Sequence, residues 1–289
     1  MYKILVVSHD AGGAELLSCF LKFKNMKFDY FLKGPAKKIF EKNFGRKFIN
    51  FKDVELKKKI LNSSLVLTGT SWSSNLEKKT IKFCKSKNIR VISYIDHWVN
   101  YKERFVLKKN FYLPDILWTH DEISKKIAQK QFNIPIINKK NYYLRKIKDE
   151  FLEISKTKKN KKIYEFLFLS EPIKEHNSKL GFDEYSCLKK FLDFVCKLNK
   201  KHKILIRMHP YEKLIKYNKI LNFSRYKKLH IYFSKNSTLT EDIFYSKNVV
   251  GINSMAMAVA IMLNNKKVFC CLDSKKNLCQ LPYKKIKYI

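Results

Sequence analysis

The sequence lacks the features that mark several classes of protein. No stretch approaches the roughly 18 uninterrupted apolar residues of a membrane-spanning helix, and the N-terminal MYKILVVSHDAGG is typical of a strand and turn rather than of a signal peptide. The seven cysteines show no CxxC or Cys/His spacing, so neither a zinc site nor a disulfide framework is indicated. We therefore expect a cytoplasmic protein with reduced thiols.

Arginine is also scarce, although the chain is strongly basic. Only six of the 61 basic residues are arginine, and the formal net charge of +36 comes from lysines spread along nearly the whole chain. No basic helix with base-reading side chains and no aromatic RNA-binding motif is visible. We therefore expect no specific nucleic-acid partner, whereas the positive charge favours anionic ligands and peripheral contact with an anionic inner membrane.

Short β-rich runs alternate with helical patterns along the whole chain, which predicts an α/β fold built from βαβ units. In the first half the predicted strands lie near residues 3–8, 28–32, 47–49, 65–69, 90–94 and 116–119. In the second half strands are predicted near residues 165–169, 203–208, 229–232, 248–252 and 267–271, with helices at 184–199, 211–221, 238–245 and 254–263. The lysine-rich passage ISKTKKNKKIYE interrupts the alternation. It predicts two Rossmann-like domains, 1–155 and 156–289, that face each other across a cleft.

The residues that follow each strand are the candidates for a site, because ligands of open α/β sheets bind beyond the carboxyl ends of the strands. The first strand runs into SHDAGGAE, where Asp10 is either the N-cap of the next helix or a general base. His9 lies beside it, and Gly12 and Gly13 would give a substrate room for a close approach. The motif is not GxGxxG, so no dinucleotide fingerprint is indicated.

Two further loops of the first half carry polar side chains after predicted strands. TGTSWSS supplies hydroxyl groups that could hydrogen-bond a sugar, with Ser71 as the candidate, although helix capping also explains part of this run. YIDHWVNYKERF contains Asp96, His97, Trp98 and Arg104. We interpret it as a sugar-binding loop in which Trp98 stacks on a sugar face and Arg104 meets an anion. Asp96 is the second candidate for a general base.

Three strand ends carry the candidates of the second half. FLSEPIKEH places Glu171 after one strand, LIRMHPYE places His209 and Pro210 after the next, and GINS places Asn253 and Ser254 before an apolar helix. A lone histidine at a strand end is more often a packed core residue, and Asn253 or Ser254 is explained equally well as a helix cap. A helix N-terminus with a small hydroxyl is also a phosphate site. The three strand ends together favour an anionic ligand.

These motifs carry a resemblance to a known family. The order of a strand ending in EP, a strand ending in RMHP, GINS at the start of a helix and NNKKVF as a last strand resembles the C-terminal half of GT-B glycosyltransferases with cytidine-activated donors. These are the bacterial sialyltransferases, polysialyltransferases and octulosonate transferases, which have HP and Ser-Ser motifs. The resemblance implies that His209 lies at the leaving phosphate, that Ser254 binds the same phosphate and that Asp10 is the base. Asn253 stands where the family has its first serine.

The resemblance implies an inverting glycosyltransferase that needs neither a metal nor a cofactor, and the sequence has no DxD motif to hold a divalent ion. Domain 1–155 would bind a glycan, lipid-linked or protein acceptor. Domain 156–289 would bind the nucleotide-sugar donor, with a sialic-acid-like or octulosonic acid linked to CMP as the expected sugar. Three alternatives stay open: a CDP-alcohol phosphotransferase of the teichoic-acid type, an enzyme like UDP-sugar epimerases, and a non-enzymatic basic adaptor for an anionic polymer.

Overall fold

The computed structural model describes residues 3–71, 74–157, 163–176, 181–198, 201–209, 212–263, 267–272 and 279–289. The chain divides into two compact units, Met1–Lys146 and Ile147–Ile289. The division falls inside the helix Tyr142–Thr157, ahead of the predicted boundary after residue 155. Tyr142, at the start of this helix, packs on the core of the first unit. Phe151, which belongs to the second unit, packs on Phe244 of that unit.

The first unit contains a parallel sheet with helices on its faces and a short antiparallel hairpin. Its elements are β1 (Ile4–Ser8), α1 (Ala11–Phe23), β2 (Asp29–Leu32), α2 (Gly34–Phe44), α3 (Leu56–Leu61), β3 (Leu65–Thr68), α4 (Leu76–Ser86), β4 (Val91–Tyr94), β5 (Val106–Leu107), β6 (Asn110–Phe111), β7 (Ile116–Thr119), α5 (Glu122–Gln131), β8 (Ile136–Asn138) and the start of α6 (Tyr142–Thr157). The six-stranded sheet has the order β2-β1-β3-β4-β7-β8.

The core of this unit lies on both faces of its sheet. Leu5 and Val7 of β1 belong to one apolar cluster, and Val6 belongs to the other. Successive side chains of a strand point to opposite faces, and all five residues of β1 are buried. An unbroken apolar run of this kind is typical of a parallel strand that is covered on both faces.

The second unit contains another six-stranded parallel sheet, with the order β11-β10-β9-β12-β13-β14. Its elements are β9 (Tyr164–Leu169), α7 (Ile173–His176), α8 (Glu184–Cys196), β10 (Lys203–Arg207), α9 (Asn218–Leu221), β11 (His230–Phe233), α10 (Leu239–Tyr245), β12 (Ser246–Gly251), α11 (Met255–Met262), β13 (Lys267–Cys270) and β14 (Lys287–Tyr288). None of the helices in the described ranges is both long enough and apolar enough to cross a membrane.

The strand orders locate the edge at which a ligand is expected in each unit. In the first sheet the order reverses between β1 and β3, and in the second it reverses between β9 and β12. The second order is that of the dinucleotide-binding Rossmann sheet, and the first is that of the flavodoxin-like sheet. In both, ligands bind beyond the carboxyl ends of the strands that flank the reversal. The predicted α/β class with two Rossmann-like sheets is therefore confirmed.

Two predicted elements are wrong. Residues 47–49 form no strand, because the side chain of Asn50 pairs with both backbone groups of Leu32 at the end of β2. The predicted helix at 211–221 is broken into a 3₁₀ turn, Leu214–Tyr217, and the short helix α9. Within that turn Lys216 and Tyr217 both contact the buried carboxylate of Glu212. These contacts hold the turn against Glu212, and the segment therefore does not form one continuous helix.

Candidate functional site

His9 and Asp10 follow β1 at the point where the strand order of the first sheet reverses. Asp10 holds the N-cap position of α1, but within the described chain its carboxylate accepts no capping hydrogen bond. Its Oδ1 lies instead 2.8 Å from Nδ1 of His9. This hydrogen bond is the main reason for the raised pKa of His9, and burial of the imidazole opposes it. The two residues therefore form an acid–base pair, with 26% of the His9 and 19% of the Asp10 side chain exposed.

Glu77, in the first turn of α4, is a third titratable side chain at this edge. It is fully buried, and its Oε1 accepts a hydrogen bond of 2.7 Å from the backbone N–H of His9. Burial raises the pKa of Glu77 to about 7, and the negative charge of Asp10 adds to the rise. The sequence does not single out this residue, because a glutamate in the first turn of a helix ordinarily indicates only a favourable interaction with the helix dipole.

Gly12 and Gly13 have a role different from the one predicted. A Cβ atom on Gly12 would lie 1.9 Å from Oδ2 of Asp96, and one on Gly13 would lie 3.0 Å from Cα of Gly69. The room beside both glycines is thus taken by the protein's own loops after β3 and β4, not by a substrate. Their small size lets α1 pack closely against the neighbouring strand ends.

Asp96 and Arg104 pair with each other inside the first unit. Nη1 of Arg104 lies 2.6 Å from Oδ1 of Asp96 and donates a hydrogen bond of 2.9 Å to the hydroxyl of Thr70. Only 9% of Asp96 and 4% of Arg104 is exposed. The predicted contact of Arg104 with an anionic ligand is therefore replaced by a contact with a carboxylate of the same loop, because a buried guanidinium requires a partner of opposite charge.

Trp98 is buried rather than open to a sugar ring. Only 4% of it is exposed, its Nε1 donates to Oδ2 of Asp121 at 3.0 Å, and its ring packs edge-on against His120. The predicted stacking therefore does not agree with this packing. His97 is partly exposed and accepts a hydrogen bond from the backbone N–H of Trp98. Ser71 is buried, and its hydroxyl accepts from a backbone N–H of the following turn.

Several buried polar atoms at the carboxyl edge of the first sheet have no hydrogen-bond partner among the described residues. They belong to Ser8, Glu77, Thr119, His120 and Asn138. Three of these residues, Ser8, Thr119 and Asn138, are the last residues of their strands. Buried polar atoms in proteins are nearly always paired. These atoms can form hydrogen bonds with water or with a polar ligand at this edge.

Glu171 lies at the corresponding edge of the second sheet, just after β9. Its Oε1 accepts a hydrogen bond of 2.6 Å from the backbone N–H of Asn253. Burial raises the pKa of Glu171 to about 7, whereas hydrogen bonds from the backbone of Asn253, Ser254 and Ile252 oppose the rise. The carboxyl group of Glu171 therefore lies against the backbone in front of α11, where the resemblance implies a phosphate.

Ser254 holds the N-cap position of α11 but does not cap it with its side chain. Its Oγ is buried, and it has no hydrogen-bond partner in the described part of the chain. Asn253 uses its side-chain oxygen to accept a hydrogen bond of 2.8 Å from the backbone N–H of Gln280. The alternative explanation of Ser254 as a side-chain cap is therefore not realised, and its hydroxyl is available for another bond.

His209 lies just beyond β10 and is partly buried. Its backbone N–H donates a hydrogen bond of 2.8 Å to Oε2 of Glu212, whose Oε1 accepts from the hydroxyl of Tyr217 at 3.0 Å. The Tyr217 hydroxyl also bonds to the hydroxyl of Ser170, the residue before Glu171. This network, which the sequence does not reveal, ties the loop of His209 to the end of β9. Pro210 lies outside the described residues.

Each unit thus presents acid–base groups where its strand order reverses. The first has an imidazole–carboxylate pair beside a buried acid, and the second has a partly buried acid, a histidine and a hydroxyl before an apolar helix. Buried acids with a pKa near 7 can hold and release a proton at neutral pH. In the ranges that the structure describes, no group of three His, Cys, Asp or Glu side chains is placed to hold a metal ion.

No protein-family model and no curated protein matches the chain, but several solved structures resemble it. UDP-GlcNAc 2-epimerase from Neisseria meningitidis, bound to UDP-GlcNAc, gives a TM-score of 0.65 at 12% identity, over 99% of this chain and 86% of that one. UDP-GlcNAc 2-epimerase from Methanocaldococcus jannaschii gives 0.53 at 13% identity, over 93% and 83%. The glycotransferase of kitacinnamycin gives 0.52 at 8% identity, over 100% and 86%.

At these identities the likeness concerns the fold alone. Together with the two six-stranded parallel sheets, it shows that the chain has the two Rossmann-like units of the GT-B class, as predicted. Epimerases and a glycosyltransferase share this fold. The fold therefore does not distinguish these two reactions, and the choice between them depends on the residues at the sheet edges.

Proposed function

We propose that the protein is an inverting, metal-independent glycosyltransferase that moves a sugar from a nucleotide-sugar donor to a glycan, lipid-linked or protein acceptor. The His9–Asp10 pair is the observation that carries the proposal. Asp10 holds the N-cap position, yet its carboxylate contacts an imidazole rather than the helix backbone. A partly exposed carboxylate oriented in this way can take the proton of an acceptor hydroxyl as a new bond to the sugar forms.

The second unit would bind the donor through its nucleotide phosphate. The hydroxyl of Ser254 has no structural partner in the described chain, and it stands at the N-terminus of α11, where the helix dipole favours negative charge. His209 would add a positive charge as the phosphate leaves. Glu171 does not oppose an anion while it is protonated, and its pKa of about 7 keeps it protonated below neutral pH.

The donor's sugar follows from the resemblance rather than from the geometry. The HP and Ser motifs favour a sialic-acid-like or octulosonic acid linked to CMP. The formal net charge of +36 agrees with an anionic donor. It also supports action at the cytoplasmic side of an anionic inner membrane.

Epimerisation of a nucleotide sugar is the second candidate, because one observation favours it. Glu77 in the first unit and Glu171 in the second both have a pKa raised to about 7 by burial. A carboxyl group of this kind can take up and release a proton at neutral pH, as the inversion of a carbon centre requires. A transferase with Asp10 as its base needs neither of them as a proton donor or acceptor.

A panel of CMP-, UDP- and GDP-linked sugars distinguishes the candidates. Each donor is incubated with the protein in D₂O, with and without a mixture of oligosaccharide acceptors, and free nucleotide and the remaining donor are quantified by chromatography and NMR. A transferase releases nucleotide in proportion to the glycosylated acceptor. An epimerase instead returns a diastereomer of the donor that carries solvent deuterium at the inverted carbon.

The Asp10→Asn variant serves as the control for the transferase. It keeps the size of the side chain and removes its function as a base, so nucleotide should still bind while transfer is lost. Release of nucleotide from no member of the panel, with no new diastereomer and no binding detected by calorimetry, would exclude both the transferase and the epimerase and leave the CDP-alcohol phosphotransferase and the basic adaptor.

A further inference from the structure

The burial of the Glu77 carboxyl group is energetically unfavourable, and its hydrogen bond with the backbone of His9 does not explain why an acid is needed there. One of its carboxyl oxygens, Oε1, accepts from the backbone N–H of His9, but the other, Oε2, has no hydrogen-bond partner in the described chain although the side chain is fully buried. Burying an ionisable group with an unsatisfied oxygen destabilises the fold. A glutamine would accept the same bond from His9 without a charge to bury. The acid is therefore unnecessary if anchoring the loop is its only task.

The neighbours of Glu77 place it within the electrostatic reach of the His9–Asp10 pair. The charge of Asp10 raises the pKa of Glu77, and the positive charge of His9 lowers it. Lys78, the next residue of α4, is also buried and interacts with both Glu77 and Asp10. Among the described residues, His9, Asp10 and Lys78 are charged side chains that interact with Glu77.

We propose that Glu77 is a positioning residue of this edge, which holds the loop after β1 through His9 and controls the charge carried by the His9–Asp10 pair. The inference deepens the proposed function, in which Asp10 is the base. Between pH 6 and 8 Glu77 passes from neutral to charged, because burial raises its pKa to about 7. Its negative charge in turn raises the pKa of His9, so His9 retains its proton to a higher pH.

The titration of His9 tests this role without any assay of activity. The imidazole C2–H signals of the full-length protein are followed by NMR from pH 5 to 9, and His9→Asn identifies the signal among the seven histidines. In Glu77→Gln the midpoint of His9 should move to lower pH, because the variant keeps the acceptor for the backbone N–H but removes the negative charge. In the wild type the same signal should show two inflections, one of them near pH 7.

Glu184 provides a matched control. It is also a first-turn glutamate, it is also fully buried, and it also accepts a backbone hydrogen bond, from the N–H of Lys174. It lies in the second unit. Glu184→Gln should leave the His9 titration unchanged, even if it lowers the melting temperature as much as Glu77→Gln does.

An unchanged His9 midpoint in a folded Glu77→Gln variant would overturn the proposal. If that variant does not fold, the wild-type curve decides, and a single inflection for His9 would be the contrary result. Failure of the proposed function is recognised separately. In that case the donor panel shows no transfer, whereas the His9 midpoint still moves on removal of the Glu77 charge.

Discussion

Replacing Asp96 by asparagine removes the negative charge that faces Arg104 while keeping the shape of the side chain. The two groups are separated by 2.6 Å between Nη1 and Oδ1, and 4% of Arg104 is exposed. A guanidinium left without its carboxylate in such a place costs roughly 3–5 kcal/mol of folding free energy. Because asparagine can still accept one hydrogen bond, we expect the lower end of this range, about 3 kcal/mol.

Urea unfolding monitored by tryptophan fluorescence measures this loss. Trp98 and Trp118 both lie in the first unit, so the signal reports on the unit that contains the pair. With a urea dependence of about 2 kcal/mol per molar for a unit of this size, the midpoint should fall by roughly 1.5 M. Asparagine has nearly the same size as aspartate, so the close contact with Gly12 is retained in the variant. The variant therefore reports the effect of the lost charge alone.

Asp53→Asn is the matched control in the same unit. Asp53 pairs with Lys33 at 2.7 Å, but 73% of its side chain and 41% of the Lys33 side chain are exposed. Exposed pairs of this kind contribute between 0 and about 1 kcal/mol, so the midpoint should move by no more than roughly 0.5 M. Equal shifts for the two variants would refute the interpretation of Asp96 and Arg104 as a buried structural pair, and would reopen Arg104 as a site for an anionic ligand.

Three further predictions concern the candidate sites, and one concerns the charge. Asp10→Asn should leave nucleotide binding intact and lower transfer by about 10²-fold or more; nearly full activity would contradict its role as base. His209→Ala should weaken both CMP binding and turnover with little change in melting temperature, whereas a destabilised variant that binds CMP like the wild type would indicate a core histidine. The pKa of Glu171 rises on folding to about 7, so its ionisation destabilises the fold increasingly from pH 4.5 to 7. The free energy of unfolding of Glu171→Gln, measured by urea unfolding, should therefore rise relative to that of the wild type by up to about 3 kcal/mol between pH 4.5 and 7. The same dependence of this free energy on pH in both proteins would contradict the prediction. Binding to duplex DNA should be weak and lost at moderate salt, and salt-resistant, sequence-selective binding in a titration would argue against the enzyme.

Most strands and their order of appearance were predictable because their signals are local, whereas β5, β6, β8 and β14, which have only two or three residues each, were not predicted. ILVVS in the first strand and LFL in β9 are apolar runs of strand length between polar loops, and such runs need no knowledge of their neighbours to be recognised. The wrong strand at 47–49 shows the limit of this reasoning. Phe48 is buried as a strand residue would be, but the ladder position beside β2 is taken by the side chain of Asn50.

The candidate residues were predictable as positions but not as contacts. His9, Asp10, Glu171 and His209 lie at the carboxyl edges where the strand ends placed them. Whether each is accessible depends on what packs against it. Trp98 illustrates the difference. A tryptophan in a polar loop predicts stacking on a sugar ring, but in the structure the indole is buried against His120.

The sequence by itself determined the α/β class, most strand and helix positions and the edges at which polar groups collect, because these follow from the spacing of apolar residues along the chain. Only the tertiary structure decided which of those polar groups form hydrogen bonds or ion pairs with other parts of the protein. Glu77 reaches the backbone of His9 across 68 residues, and Glu171 reaches that of Asn253 across 82. Burial and charge pairing arise between elements that are distant in the chain, so the pKa of each carboxyl group depends on neighbours that only the folded chain brings to it.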